Sequence, residues 1–310
     1  VKLVVLDAKT LGKDAELSGF KKYGEVTFYT NTTQEDIIER LKDADIAISN
    51  KVKINKKTIE SCPNLKLICI TATGMDIIDL EAAKKRDIEV KNVAGYSTHS
   101  VAQHTFALVL ELLTHVSYYD KFVKDGGWIK SAIFTHIDNP IREIYGKKWG
   151  IIGFGAIGKE VAKIAQAFGA DVWYYSTSGK NQDNKFPNTS LEELLSKSDI
   201  VSIHAPKNDK TRGLIGKKEL DLMKKDALLI NVGRGGIIDE VALKDALENE
   251  QIYAGLDVLE IEPMSPNAPL KDLKFKDRLV ITPHVAWASI EARKTLIEKT
   301  YKNIEDFLQK

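Results

Sequence analysis

Sulfur is scarce in this chain of 310 residues, with two cysteines and three methionines. Cys62 and Cys69 lie in and just before an apolar run, and no CxxC or comparable metal-ligand spacing occurs. A zinc centre and a disulfide framework are therefore not the basis of the fold, no metal site is expected, and the thiol usage suits a reducing cytoplasm. Charge of one sign is lacking too: 45 Lys and Arg face 44 Asp and Glu, a formal net charge of +1. No global field favours nucleic acid or an anionic membrane, so neither is expected as a partner. No apolar run approaches a membrane span. The opening VKLVVLDAKTLG has neither the length of a signal h-region nor a cleavage-like site, and a cytoplasmic location is the expectation.

What the chain does have is ordinary globular composition, 43% hydrophobic and 29% charged, over a length that suits two domains. Short β-rich runs alternate with helical stretches throughout. They fall at 1–7, 25–30, 45–50, 65–71 and 88–93, then at 148–154, 171–176, 199–205, 227–233, 252–258 and 279–284. Strands that are nearly all apolar are buried on both faces, as parallel strands are. The halves echo each other: LKDADIAISN (41–50) resembles LSKSDIVSIH (195–204), and TATGMDIIDL (71–80) resembles NVGRGGIIDE (231–240). A spacing of about 155–160 residues is too long for a solenoid repeat and right for two doubly wound domains. The expected architecture is two doubly wound parallel-sheet domains, flavodoxin-like or Rossmann, with an interdomain cleft. One comprises 1–98 plus 287–310 and binds substrate; the other, 99–286, binds the dinucleotide. Between the halves a single long helix is expected, capped by Ser97 or Thr98 and stopped by Gly126 and Gly127. Its apolar residues surround it, which suggests burial by two domains or a second subunit. The amphipathic stretch near the C-terminus returns to the first domain.

GFGAIG (153–158) follows an apolar strand and opens a helix that leads to another strand, the context a dinucleotide loop requires. Gly153 permits the tight turn, Gly155 lets the amides of Ala156 and Ile157 approach a pyrophosphate, and Gly158 packs helix on strand. The end of the next strand, where NAD enzymes carry an acid for the ribose hydroxyls, is Ser176. Ser176, Thr177, Ser178 and Lys180 can instead donate hydrogen bonds to a 2′-phosphate. The cofactor is accordingly NAD or NADP, with a lean to NADP or dual use.

Arg234, Glu262 and His284 each fall at or just beyond a strand end of the second domain, where open parallel sheets form their crevice. A lone histidine, glutamate or arginine has a bland structural account; together beside a dinucleotide loop they suit one reaction. Reducing a 2-oxo acid needs a hydride, a proton for the carbonyl oxygen and a cation for the carboxylate. Histidine is poised to give that proton near neutral pH, a neighbouring carboxylate orients it, and arginine grips a carboxylate bidentately.

Four motifs in order, GFGAIG (153–158), NVGRGGIIDE (231–240), GLDVLEIEP (255–263) and TPHVAWAS (282–289), give the chain a resemblance to the D-isomer-specific 2-hydroxyacid dehydrogenases over essentially its whole length. The resemblance implies Arg234 as substrate binder, His284 as acid/base and Glu262 as its partner. It further implies that Asp257 contacts the nicotinamide amide, that Ala205, Pro206, Asn231 and Val232 line the cofactor, and that Thr73 and Gly74 hold the substrate carboxylate. Dimerisation through the cofactor lobe is implied as well, so a homodimer acting on a small 2-oxo or 2-hydroxy acid is expected. SNKV (49–52) and GYSTHSVAQHTFALVLEL (95–112) look most like glycerate dehydrogenases, also called hydroxypyruvate reductases. Lys51 and Trp287 can be read as pocket residues or as solvated charge and packing. Rival readings are phosphoglycerate or D-lactate dehydrogenase activity and, from another class, a dinucleotide-sensing scaffold or corepressor. Formate dehydrogenase, which has a similar fold, needs no acid pair and is disfavoured by Glu262.

Overall fold

In the computed structural model, which describes residues 1–310 throughout, each of the eleven apolar runs contains a strand. β1 (Lys2–Val5), β2 (Glu25–Phe28), β3 (Ile46–Ser49), β4 (Leu67–Ile70) and β5 (Glu89–Lys91) form a parallel sheet ordered β2-β1-β3-β4-β5. The crossovers carry α1 (Ile37–Leu41), α2 (Lys56–Ser61) and α3 (Leu80–Lys85). After β5 come α4 (Thr98–Thr114) and α5 (Val116–Lys124), which precede a second parallel sheet. That sheet comprises β6 (Lys148–Ile152), β7 (Asp171–Tyr175), β8 (Ile200–Ile203), β9 (Ala227–Asn231), β10 (Ile252–Leu256) and β11 (Leu279–Ile281), ordered β11-β10-β9-β8-β6-β7. Its crossover helices are α6 (Ala156–Ala167), α7 (Leu191–Lys197), α8 (Lys217–Asp221) and α9 (Glu240–Glu248), and the chain ends in α10 (Ile290–Leu308).

The chain divides into two compact units, Val1–Ser97 with Ala288–Lys310, and Thr98–Trp287. The first five strands of the second sheet repeat the order of the first, each sheet reversing its direction of winding between its first and third strands in sequence (β1 and β3, β6 and β8), and β11 is added at one edge of the second. The sequence echo has matching local structure. Asp79 caps α3 by accepting from the Ala82 amide, and Asp239 caps α9 by accepting from the Val241 and Ala242 amides. Isolated bridges pair Ile54 with Ile78 in one unit and Ile215 with Ile238 in the other.

Strand alternation explains the unbroken apolar runs. Leu228 and Ile230 of β9 face a core shared with α4 and α6, while Ala227 and Leu229 face a second core under α7, α8 and α9. Trp149, fully buried on β6, contributes on the order of 1.5–3 kcal/mol by leaving water, and its Nε1 donates to Ser202 Oγ at 2.9 Å. In the first unit α10 covers one sheet face, with Tyr301 edge-on to the buried Phe20, ring centroids 4.6 Å apart.

The single helix expected after residue 97 is two. His115 adopts a left-handed conformation (φ 51°) that ends α4, and the Glu111 carboxylate receives the Ser117 amide at the start of α5. Gly126 (φ 78°) follows the end of α5, as its freedom at positive φ allows. The apolar residues of α4 are accounted for within the second unit, since Val101, Ala102, Phe106, Val109 and Leu112 share the core with α6 and the sheet. The surface left uncovered lies further along, at Ile129, Ile133, Phe134, Ile137 and Ile141.

Candidate active site

Gly153 follows β6 at φ 89°, and a Cβ there would sit 2.7 Å from the Ala205 nitrogen. A Cβ on Gly158 would meet the Gly153 carbonyl oxygen at 2.3 Å, so α6 can lie this close to the strand only without a side chain. Gly155 differs. Its φ of −81° suits any residue and nothing lies within 4 Å of the Cβ position, so the protein's own packing gives no reason for glycine. No side chain caps α6, which leaves its first amides, including those of Ala156 and Ile157, for an outside acceptor. An open cradle before an uncapped helix fits a dinucleotide's pyrophosphate.

Arg234, Glu262 and His284 follow β9, β10 and β11, three adjacent strands. His284 Nδ1 and Glu262 Oε2 are 2.6 Å apart, and Glu262 Oε1 accepts the Leu259 amide at 3.0 Å, which fixes the carboxylate from within its own loop. The loop bearing Arg234 lies against the loop bearing Glu262: a Cβ on Gly235 would stand 1.8 Å from the Leu259 carbonyl oxygen, so only glycine permits the approach. Asn231, buried at the end of β9, builds the turn by donating to the Arg234 carbonyl oxygen and accepting the Gly233 amide. Arg234 Nη1 donates to the Gly233 carbonyl oxygen at 2.9 Å, anchoring one arm of the guanidinium to its own loop.

Asp257, almost wholly buried, has its carboxylate turned toward the His284 segment. Oδ1 accepts the Thr282 hydroxyl at 2.6 Å and the Val285 amide at 2.9 Å, and Oδ2 accepts the Ala286 amide at 2.8 Å. Residue-type reasoning missed this role, and it missed His104 on α4, whose Nε2 is 2.8 Å from Thr282 Oγ1. Ala205 and Pro206 follow β8, and Val232 follows β9, on the same edge as the glycine loop. Ser176, the residue after β7, is buried rather than part of a solvated turn, and its Oγ has no hydrogen-bond partner. His204, after β8, is bonded through Nε2 to Ser202 Oγ at 3.0 Å, while its Nδ1 is buried without a partner; burial pushes the ring's pKa down to about 3. In the first unit Thr73 and Gly74 lie in the loop after β4, where Thr73 Oγ1 donates to the Val93 carbonyl oxygen and Asn92 Nδ2 to that of Thr73. No group of three or more His, Cys, Asp or Glu side chains is arranged to hold a metal ion, and no helix is long and apolar enough to cross a membrane.

Residues 106–286 match the family model for the D-isomer specific 2-hydroxyacid dehydrogenase, NAD binding domain. The chain is 36% identical to a hydroxypyruvate reductase from Blautia hydrogenotrophica, covering 100% of this chain and 97% of that protein. It is 39% identical to a glycerate dehydrogenase from Methylorubrum extorquens, covering 99% and 96%. Among solved structures, an acyclic imino acid reductase in complex with NADPH and D-Arg superimposes with a TM-score of 0.87 at 34% identity, covering 100% and 97%. The chain belongs to the D-isomer specific 2-hydroxyacid dehydrogenases, with the dinucleotide loop, the Arg234 turn and the His284–Glu262 pair all inside the matched segment.

Proposed function

We propose that this protein reduces a small 2-oxo acid to the D-2-hydroxy acid with NADH or NADPH, hydroxypyruvate or glyoxylate being the substrate. The observation that carries the reading is the 2.6 Å pairing of His284 Nδ1 with Glu262 Oε2, which follow the two strands beside that of Arg234, in the unit that holds the glycine loop. Glu262 accepts an N–H from Nδ1, which orients the ring and leaves Nε2 as the nitrogen that gives a proton to the substrate's carbonyl oxygen. Arg234 has one nitrogen committed to its loop and the rest of its fork for the carboxylate and carbonyl. In the first unit, the family resemblance assigns the amides of Thr73 and Gly74 to a substrate carboxylate. When bound, the nicotinamide supplies the hydride. Ala205, Pro206, Asn231 and Val232 would line the cofactor, Asp257 would contact the nicotinamide amide, and the uncapped start of α6 would receive the pyrophosphate. The names of the hydroxypyruvate reductase and glycerate dehydrogenase relatives support the substrate class.

Cofactor choice turns on Ser176. A buried hydroxyl without a partner costs stability unless something pairs with it, and no acid stands there to repel a phosphate. NADP, or both cofactors, is the preference we infer. We also assign a homodimer: the apolar stretch with Ile129 and Phe134, 88% and 89% exposed, needs cover that this chain does not provide. Two unpaired buried thiols suit a reducing compartment, taken here to be the cytoplasm.

Initial rates of nicotinamide oxidation with hydroxypyruvate, glyoxylate, pyruvate and formate, each with NADH and NADPH, test the proposal. Turnover is expected with hydroxypyruvate or glyoxylate. Tight cofactor binding with no turnover of any 2-oxo acid would mark the protein as a dinucleotide-sensing scaffold.

A further inference from the structure

His284 sits in the left-handed region, φ 54°, where a side chain costs about 1–2 kcal/mol, so something must hold it there. Its amide bonds to the carbonyl oxygens of Asp257 at 2.9 Å and Thr282 at 3.0 Å. The Asp257 carboxylate grips the chain on both sides, through the Thr282 hydroxyl before it and the Val285 and Ala286 amides after it. Thr282 has one hydroxyl proton, and it goes to Asp257 Oδ1 at 2.6 Å. Its oxygen can only accept from His104 Nε2 at 2.8 Å, which therefore carries a proton. That nitrogen also stands 3.5 Å from Asp257 Oδ1. The order of donors is fixed: His104 to Thr282 to Asp257. His104 is held on α4, a 17-residue helix packed against β9, β10 and β11, so the ring reaches the loop from a rigid support.

We infer that His104 is a positioning residue for the reaction, setting the attitude of the His284 imidazole through Thr282 and Asp257. The inference rests on the reading of His284 as proton donor. His104 touches neither reacting atoms nor His284; it acts by removing the freedom of the Thr282 side chain and, with it, of the loop. Losing one such hydrogen bond relaxes the loop and leaves the pyrophosphate cradle, between β6 and α6, in place.

The test is a set of variants of the full chain, His104→Leu, His104→Gln and Thr282→Val, assayed with glyoxylate and whichever reduced cofactor gives the higher wild-type rate. His104→Leu and Thr282→Val should each lower kcat about five- to tenfold, with the dissociation constant of the reduced cofactor changed less than twofold. Glutamine places an N–H near the position of Nε2, so His104→Gln should recover most of the loss. In a His284→Ala background, His104→Leu should lower the residual rate less than twofold, because there is no imidazole left to position. Amide exchange at Val285 and Ala286 should quicken in His104→Leu and return in His104→Gln, a readout independent of turnover. A wild-type protein without 2-oxo acid reduction removes the proposed function and this inference with it. An active wild type overturns the inference alone if His104→Leu keeps the wild-type kcat, if glutamine does not rescue, or if the loss persists undiminished without His284.

Discussion

Substituting Gly155 separates a glycine kept for a ligand from one kept for the fold. The Cβ of a valine at 155 meets no atom within 4 Å and the residue inherits φ −81°, so the folded chain should accommodate it. Valine is a poor N-cap for α6, which costs about 0.5–1 kcal/mol and lowers Tm of a unit this size by roughly 1–4 °C. The cofactor's loss is larger. The side chain fills the space in front of the Ala156 and Ile157 amides, and each charge-assisted hydrogen bond to a phosphate forfeited there is about 1.5–3 kcal/mol. Two such bonds lost weaken binding by about 10²-fold or more. Gly158→Ala should do the opposite, because its Cβ would lie 2.3 Å from the Gly153 carbonyl oxygen and 3.2 Å from Ile151 Cγ2. Overpacking against backbone costs about 1–3 kcal/mol, and the melting temperature drops accordingly. The assay pairs thermal melting without cofactor with titration of reduced cofactor by energy transfer from tryptophan. A Gly155→Val protein that binds within threefold of wild type would refute the placement of the pyrophosphate.

Arg234→Lys should lower kcat/KM about 10²-fold, since an ammonium cannot both keep the Gly233 contact and fork onto a carboxylate; near-normal efficiency would show that the guanidinium does not touch substrate. Ser176→Asp should raise the NAD-to-NADP ratio of kcat/KM at least about tenfold, and an unchanged ratio would separate that position from the ribose. For His204, the unfolded ring takes up a proton below about 6.5 while the folded ring does not until about 3. Stability should therefore fall as pH drops between those values, by up to about tenfold in the folding equilibrium per pH unit. His204→Gln should flatten that part of the curve in urea melts at pH 7 and 4.5, and an equal loss in both proteins would contradict the assignment.

The strands were legible because parallel strands are apolar on both faces, as the two cores on either side of β9 illustrate. Double winding in both halves is legible from the echo of TATGMDIIDL in NVGRGGIIDE, within which Asp79 and Asp239 cap equivalent helices, whereas the order of the strands is not. The break at His115 left no glycine or proline to read; it depends on Glu111 reaching the Ser117 amide. Polar side chains at the ends of apolar strands stand out by type, and of these His284 meets Glu262. The support beneath them does not. Asp257 resembles any acid after a strand, and His104 lies 178 residues from Thr282 on a helix whose neighbours are apolar. Such pairings depend on how a helix and a loop pack, and local sequence does not encode that.

In the proposed reaction the imidazole paired with Glu262 protonates the substrate while the dinucleotide is held elsewhere in the same unit. Single-turnover and steady-state rates of His284→Ala with hydroxypyruvate, measured beside the dissociation constant of reduced cofactor, test it most directly. The expected result is a rate about 10²–10⁴-fold lower with cofactor affinity within twofold of wild type. A variant that reduces hydroxypyruvate at more than a tenth of the wild-type rate would contradict it.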